Sequence, residues 1–162
     1  NNAGTANIKY FTDVTENDLN NMIEINLKAP FRLSQIFAKK MIRNKIKGCI
    51  VHITSQLGHI GAYNRSIYCM SKFGLEGLNK AMALDLANYG IRSITVAPTK
   101  TIVNQNERFK KKKRLNLIKK KIPIKKFPTS SEIANAIFFI CENSKTMTGS
   151  NLRIDGGWTA GR

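Results

Sequence analysis

Tyr68 and Lys72 stand four positions apart in the stretch SIYCMSKFGLEGLNKAM, residues 66–82. On a helix, residues at that spacing share a face with Cβ atoms about 5–6 Å apart, so an ammonium group at 72 can sit near a phenol at 68. Such a pair can move protons. A phenol with a reference pKa near ~10 is a poor base at neutral pH, and a fixed positive charge beside it favours the ionised form. Alone, the spacing also reads as ordinary helix surface, because lysine is abundant throughout the chain. Ser55 changes the balance. It follows the short apolar, β-branched run CIVHIT, which has the composition of a parallel strand buried on both faces. The loop QLGHIGAYNRS is of suitable length to return the chain beside it. In open α/β sheets ligands bind outside the carboxyl ends of the strands, where Ser55 and the head of the Tyr68 helix would both lie. A hydroxyl to hold a carbonyl oxygen, a phenol to give or take a proton, and a lysine to bias the phenol together suit interconversion of an alcohol and a ketone. The hydride must come from a separate carrier, for which a nicotinamide cofactor is the standard source.

Helices and strands must hold those three groups together. FTDVTENDLNNMIEINLKAPFRLSQIFAKKMIRN opens with Thr15 and, three residues later, Asp18, a capping-box arrangement. Leu19, Met22, Ile23, Leu27, Leu33, Phe37 and Met41 follow at helical spacing. This predicts a long helix over residues 15–45, bent at Pro30, which removes a backbone donor and disfavours the helical conformation of Ala29. A second helix is predicted over residues 67–88. A third starts from Thr129 and Glu132, again in capping-box register. CIVHIT, IRSITVAP and NLRID are the predicted strands, and the basic stretch after Pro98 shows no strong period. Helices and strands in alternation are the rhythm of an α/β domain with a parallel sheet and right-handed crossovers. The chain starts directly before a helix, with no first strand and no glycine-rich phosphate turn.

With 162 residues, 42% of them hydrophobic, the chain is the size of one domain with a real core. NNAGTANIKY does not read as a signal peptide, and no apolar run approaches the ~18 residues of a membrane span, so a cytoplasmic location is expected. Cys49, Cys69 and Cys141 are odd in number, widely separated in sequence and without CxxC spacing. They are expected to be reduced and inert, neither a disulfide framework nor a metal site. The formal charge of +17 is concentrated in RFKKKKRLNLIKKKIPIKK, residues 108–126. Such a run can bind phosphate backbones, yet charge runs are usually solvated faces or mobile segments. A basic nucleic-acid-binding protein, or a non-catalytic subunit on the same fold, is carried as the alternative. A gel-shift series across salt separates the first of these, with no tight binding at physiological salt expected here.

The same residues resemble the short-chain dehydrogenase/reductase family, from the first position to the last. NNAG at 1–4 matches its Asn-Asn-Ala-Gly signature, EINLKAPF carries its helix asparagine as Asn26, and ITSQLG carries its serine as Ser55. YCMSK supplies the tyrosine and lysine as Tyr68 and Lys72, and GIRSITVAP and TGSNLRIDGGWT also fit. Within the family the look is of gluconate- and glucose-dehydrogenase-like members. The resemblance implies a Rossmann-like doubly wound parallel sheet lacking its N-terminal part, one partial domain over residues 1–162. Residues 103–127 would be a basic substrate lid. It implies an NAD(P)-dependent oxidoreductase, using NAD or NADP, that acts on a small carbonyl or alcohol substrate of sugar-acid, polyol or 3-oxoacyl type. Catalytic roles fall to Asn26, Ser55, Tyr68 and Lys72, with Asn26 supporting a water that links Lys72 to solvent. Asn2, Ala3 and Gly4 would line the cofactor site near the adenosine half, Lys72 would hydrogen-bond the nicotinamide ribose, with Tyr68 beside it, Pro98 and Thr99 would border the nicotinamide, and Thr101 would offer its backbone to the carboxamide. Asn26 has a plainer reading, satisfaction of buried backbone groups. His52 is expected to be a satisfied strand residue, and His59 to lie in the loop bordering substrate. The family implies a dimer or tetramer built on the two long helices, and no metal. Val103 departs from the pattern where a threonine contacting the cofactor is expected. The glycine-rich turn and the residue choosing NAD or NADP are not in these 162 residues, so this chain alone is expected to be inactive. Isothermal titration with both cofactors checks that: micromolar binding by this chain would refute it.

Overall fold

Three parallel strands in the order β1-β2-β3 form the sheet of the computed structural model, which describes residues 1–101 and 112–161. They are β1 (Cys49–Ile53), β2 (Arg92–Pro98) and β3 (Asn151–Ile154), paired with Val51 opposite Ile94 and Val96 opposite Leu152. The backbone of Asn1 bonds to the other edge of β1, donating to the Val51 carbonyl at 2.8 Å and accepting from the Ile53 N–H at 2.9 Å.

β2 is buried on both faces, as its apolar run predicts, but the faces differ in chemistry. Ile94 and Val96 are fully buried with Ile140 in a hydrocarbon cluster that also takes in Ile133, Ile137 and Met147. Ser93 and Thr95 point the other way and meet polar side chains of a helix, Asn79 and Glu76. A second cluster of Ala38, Ile50 and Ile91, with Met41, Ile42, Met82 and Leu86 against it, fills the space on that side. Helices therefore cover both faces of the parallel sheet.

The long helix predicted over 15–45 is present in three pieces. α1 (Glu16–Ile23) begins with the Thr15/Asp18 capping box and α2 (Ala29–Arg43) continues it, but residues Glu24–Lys28 between them form a π-helical turn. Pro30 explains the widening. Its ring would press on the carbonyl four residues back, that of Asn26, and it has no N–H to offer that carbonyl; a looser turn relieves the clash. α3 (Ser66–Leu86) is the predicted Tyr68 helix, and Thr129 caps the C-terminal helix as expected.

The basic stretch contains a helix that its sequence does not announce. α4 (Lys112–Lys121) places Leu115 in a buried position, and Ile122 just beyond it is fully buried. Leu115, Ile118 and Ile122 are spaced i, i+3, i+7, a narrow apolar stripe hidden among lysines. Of the stretch 103–127 expected to be a lid, residues 103–111, Val103 among them, lie outside the described residues. The chain after α4 docks on the turn at Gly156, whose φ of +62° and whose missing Cβ, 2.5 Å from Ile122 Cγ2 if present, admit only glycine. α5 (Ser130–Glu142) completes the order.

His52, at the centre of β1, is fully buried beside Ser34, and burial reinforced by nearby positive charge lowers its pKa to about 4. An unfolded histidine takes a proton near pH ~6.5. Between these values the unfolded state binds more protons, so stability complete above ~6.5 is lost as pH falls toward about 4, by up to about 1.4 kcal/mol per pH unit. Urea denaturation across that range should record this slope, and His52→Leu should flatten it. The three cysteines are free thiols. Cys49 and Cys141, distant in sequence, meet as side chains, and burial pushes the Cys49 thiol up to about 11, which keeps it unreactive. Among the described residues no helix is long and apolar enough to cross a membrane, and no group of His, Cys, Asp or Glu is arranged to hold a metal ion.

Candidate active site

Ser55 leaves the end of β1 in an extended conformation, with Thr54 still bonded to β2 through its N–H and the Val96 carbonyl at 2.8 Å. The Ser55 hydroxyl accepts from the Leu57 N–H at 3.2 Å and opens the short 3-10 turn Gln56–Gly58. That turn lies directly on α3. A Cβ on Gly58 would stand 3.1 Å from the Lys72 carbonyl oxygen and 3.2 Å from Glu76 Cγ, against helix backbone that cannot move aside. Gly58→Ala should therefore push the turn, and Ser55 with it, off the helix. We expect a stability loss of about 1–3 kcal/mol in denaturant titration and a larger fractional loss of turnover.

Tyr68 occupies the first turn of α3, half-buried, and its phenol meets the Ser55 hydroxyl. Burial raises the phenol's pKa, opposed by that contact and by the charge of Arg65. The expected influence of Lys72 takes a different form. Its Nζ lies 5.7 Å from the Tyr68 ring centroid and donates to the Ile53 carbonyl at 3.0 Å, so it sits over the ring and is tied to the strand end. Burial lowers the Lys72 pKa to about 8, with Glu76 opposing the shift. Three predicted groups thus meet at the carboxyl end of β1.

Arg65, which the sequence did not single out, is a second cation beside the phenol. It lies 5.9 Å from the ring centroid and donates to the Asn7 carbonyl at 3.0 Å. It is the N-cap residue of α3, one position before the first helical residue.

Asn26, in the π turn, is 1% exposed, and both its amide oxygen and its amide nitrogen are hydrogen-bonded. Oδ1 accepts from the Thr5 N–H at 2.8 Å, and Nδ2 donates to the Thr5 carbonyl at 2.9 Å and to Ser71 Oγ at 3.1 Å. Ser71 in turn donates to the Tyr68 carbonyl at 2.8 Å. The side chain binds the N-terminal segment to α3, which is the plainer of its two expected readings. Gly4 lies close by: a Cβ there would stand 3.3 Å from Asn26 Oδ1 and 3.8 Å from Lys72 Nζ.

A pocket of about 810 Å³ opens over these groups. Asn2, Gly4, Ser55, Tyr68, Lys72, Pro98 and Thr99 line it, and Leu115, Ile118 and Lys121 of the α4 segment form another side. Ala3 is exposed beside it, and Thr101 turns its hydroxyl to the Thr99 carbonyl at 3.2 Å. His59 lies in the loop that borders this pocket. The loop presents Gln56, Leu57, Ala62 and Tyr63 to the pocket, whereas His59 Nε2 faces Glu76 Oε1 at 3.3 Å.

Comparison with known proteins gives the family and the fold. The family model described as Enoyl-(Acyl carrier protein) reductase, a short-chain dehydrogenase/reductase model, matches residues 1–159. The chain is 35% identical to L-xylulose reductase from Homo sapiens over 166 residues, covering 99% of this chain and 66% of that protein. It superposes with a TM-score of 0.90 on 4-hydroxyisoleucine dehydrogenase complexed with NADH, at 34% identity, covering 99% of this chain and 67% of that one. A putative 2-deoxy-D-gluconate 3-dehydrogenase from Agrobacterium tumefaciens with bound NADP gives 0.91 at 31% identity, covering 98% and 65%. The chain thus spans about two thirds of the length of the curated relatives it matches. A parallel α/β sheet with Ser55, Tyr68 and Lys72 gathered at its carboxyl edge, matched along nearly the whole chain, places this protein in the short-chain dehydrogenase/reductase family.

Proposed function

We propose that the protein is an NAD(P)-dependent oxidoreductase interconverting a secondary alcohol and a ketone, with Ser55, Tyr68 and Lys72 as its catalytic residues. The observation that carries this is their convergence on one pocket at the ends of the parallel strands. The names of the relatives, a xylulose reductase and a deoxygluconate dehydrogenase among them, favour a ketose, polyol or sugar acid over a 3-oxoacyl substrate.

The residues present fit a nicotinamide dinucleotide. Thr99 Oγ1 is buried in the pocket wall without a hydrogen-bond partner, a polar atom awaiting one. The Gly4 backbone leaves open the space beside Lys72 Nζ that a side chain would fill. Lys72, with one of its three donors on Ile53, would hold the ribose; Pro98, Thr99 and the Thr101 backbone would border the nicotinamide; Asn2, Ala3 and Gly4 would meet the adenosine side. When bound, that cofactor supplies or accepts the hydride.

The chain's own residues handle the proton. Ser55 Oγ donates to the carbonyl oxygen and fixes its position. Tyr68, kept protonated at neutral pH by burial, delivers its phenolic proton to that oxygen in the reducing direction and recovers it in the oxidising one. Lys72 and Arg65 offset the phenolate charge that forms. Asn26, beside Gly4 and Lys72, would support the water by which Lys72 exchanges protons with solvent. The basic segment 103–127 would act as the substrate lid, a role supported by Leu115, Ile118 and Lys121 in the pocket wall. A homo-oligomer is supported by exposed Phe31 and Phe37 on α2 and Phe73 on α3, and light scattering of the full-length protein tests it. For the reaction, nicotinamide absorbance followed with ketoses, polyols and sugar acids is the test. Turnover by the full-length protein is expected, and its absence with cofactor bound would count against the reading.

A further inference from the structure

The helix that carries Tyr68 and Lys72 carries another buried ionisable side chain, one that the proton chemistry above does not use. Glu76 lies one turn beyond Lys72 and is 7% exposed. Oε1 accepts from Thr54 Oγ1 at 2.5 Å and from Asn151 Nδ2 at 2.9 Å, and Oε2 accepts from Thr95 Oγ1 at 2.7 Å. His59 Nε2 stands 3.3 Å from Oε1, near enough for charge to matter but not aligned for a hydrogen bond. The donors come from the end of β1, from β2 and from β3, all converging on one carboxylate of α3.

A carboxylate is costly to bury and would be replaced by an apolar side chain without loss if packing were its only role. Two features give it another. Thr54 immediately precedes Ser55, so the short Thr54–Glu76 hydrogen bond joins the serine's strand end to the helix of Tyr68. Lys72, four residues back on the same helix face, is 5% exposed and feels the Glu76 charge, and a buried ammonium needs a partner charge. The turn at Gly58 lies close against Glu76: a Cβ at position 58 would stand 3.2 Å from Glu76 Cγ.

We propose that Glu76 is a positioning residue of the site: its carboxylate locks Thr54, and with it Ser55, to the helix of Tyr68, and its negative charge holds Lys72 as an ammonium. The charged and titratable groups involved are few. Lys72 is faced by Tyr68 and Glu76 on its own helix and by His52 from β1, Glu76 is faced by His59, and Arg65 acts on Tyr68. Only the kinetic consequence rests on the oxidoreductase reading.

The test is an NMR titration of the full-length protein with labelled lysine, the Lys72 signal being identified by its loss in Lys72→Met. In Glu76→Gln, nearly the same shape without the charge, the Lys72 midpoint should fall by about one pH unit or more. Thr95→Val, which removes one of the hydrogen bonds to Glu76 and keeps the charge, should leave it in place. An unchanged midpoint in Glu76→Gln, or an equal fall in Thr95→Val, overturns the proposal. If Glu76→Gln does not fold, the wild type answers instead: the Glu76 carboxyl carbon must respond at the pH where Lys72 titrates, and a flat signal overturns the proposal. In steady-state kinetics Glu76→Gln should lower kcat with KM unchanged and move the alkaline limb to lower pH. A shifted Lys72 midpoint in a protein that turns over no substrate leaves this proposal standing and removes the oxidoreductase reading instead.

Discussion

Tyr68→Phe in the full-length protein should lower kcat by roughly 10²–10⁴-fold while cofactor affinity stays unchanged. The substitution removes one oxygen and keeps the ring over which Arg65 and Lys72 lie, so those contacts persist. What is lost is the proton. Burial holds the phenol protonated at neutral pH, poised to donate to a carbonyl oxygen, and Ser55, though in contact with it, cannot substitute as an acid of comparable strength. Equal losses in kcat and kcat/KM would show that the interaction belongs to the transition state; a rise in KM alone would show that Tyr68 merely binds substrate.

Lys72→Met should abolish turnover and, at neutral pH, make the protein more stable. Burial lowers the Lys72 pKa from 10.5 to about 8, so below that value the folded state carries an ammonium it would rather not hold. Between about 8 and 10.5 the unfolded chain binds more protons than the folded one, and stability rises with pH across that window. The depressed pKa corresponds to roughly 3 kcal/mol of cost at neutral pH. Removing the lysine leaves the Ile53 carbonyl without its partner, which takes back part of that gain, so a net stabilisation of about 1–2 kcal/mol is expected. Urea denaturation between neutral pH and the alkaline range reads both effects: the wild type should gain stability as pH rises, and the variant should not. Such a trade, stability given up at a group that serves chemistry, is common at active sites.

Local chemistry made part of this arrangement legible in the sequence. Thr15 with Asp18 and Thr129 with Glu132 form their capping boxes from residues three apart, and both are made as their spacing suggests. Tyr68 and Lys72 share a helix, and Ser55 ends a strand whose apolar run is unmistakable. Long-range partners were hidden. Arg65 reaches the phenol from outside the helix, and Glu76 gains its meaning from Thr54, Thr95 and Asn151, which only the folded sheet assembles. The helix at Lys112–Lys121 escaped because three apolar residues set its register within a run of lysines. His59 was expected only to lie in the loop bordering substrate; that its ring faces Glu76 is another long-range relation the sequence does not carry. Pro30 signalled a disturbed helix, though not that the disturbance would be a π turn centred on Asn26.

Nicotinamide absorbance followed with the full-length protein, wild type beside Ser55→Ala, most directly tests whether the serine, tyrosine and lysine act together on a carbonyl. Hydride transfer to or from a ketose, polyol or sugar acid by the wild type, reduced at least ~10²-fold by Ser55→Ala, is the predicted result. Equal rates in the two proteins, or bound cofactor with no hydride transferred to any of these compounds, would contradict it.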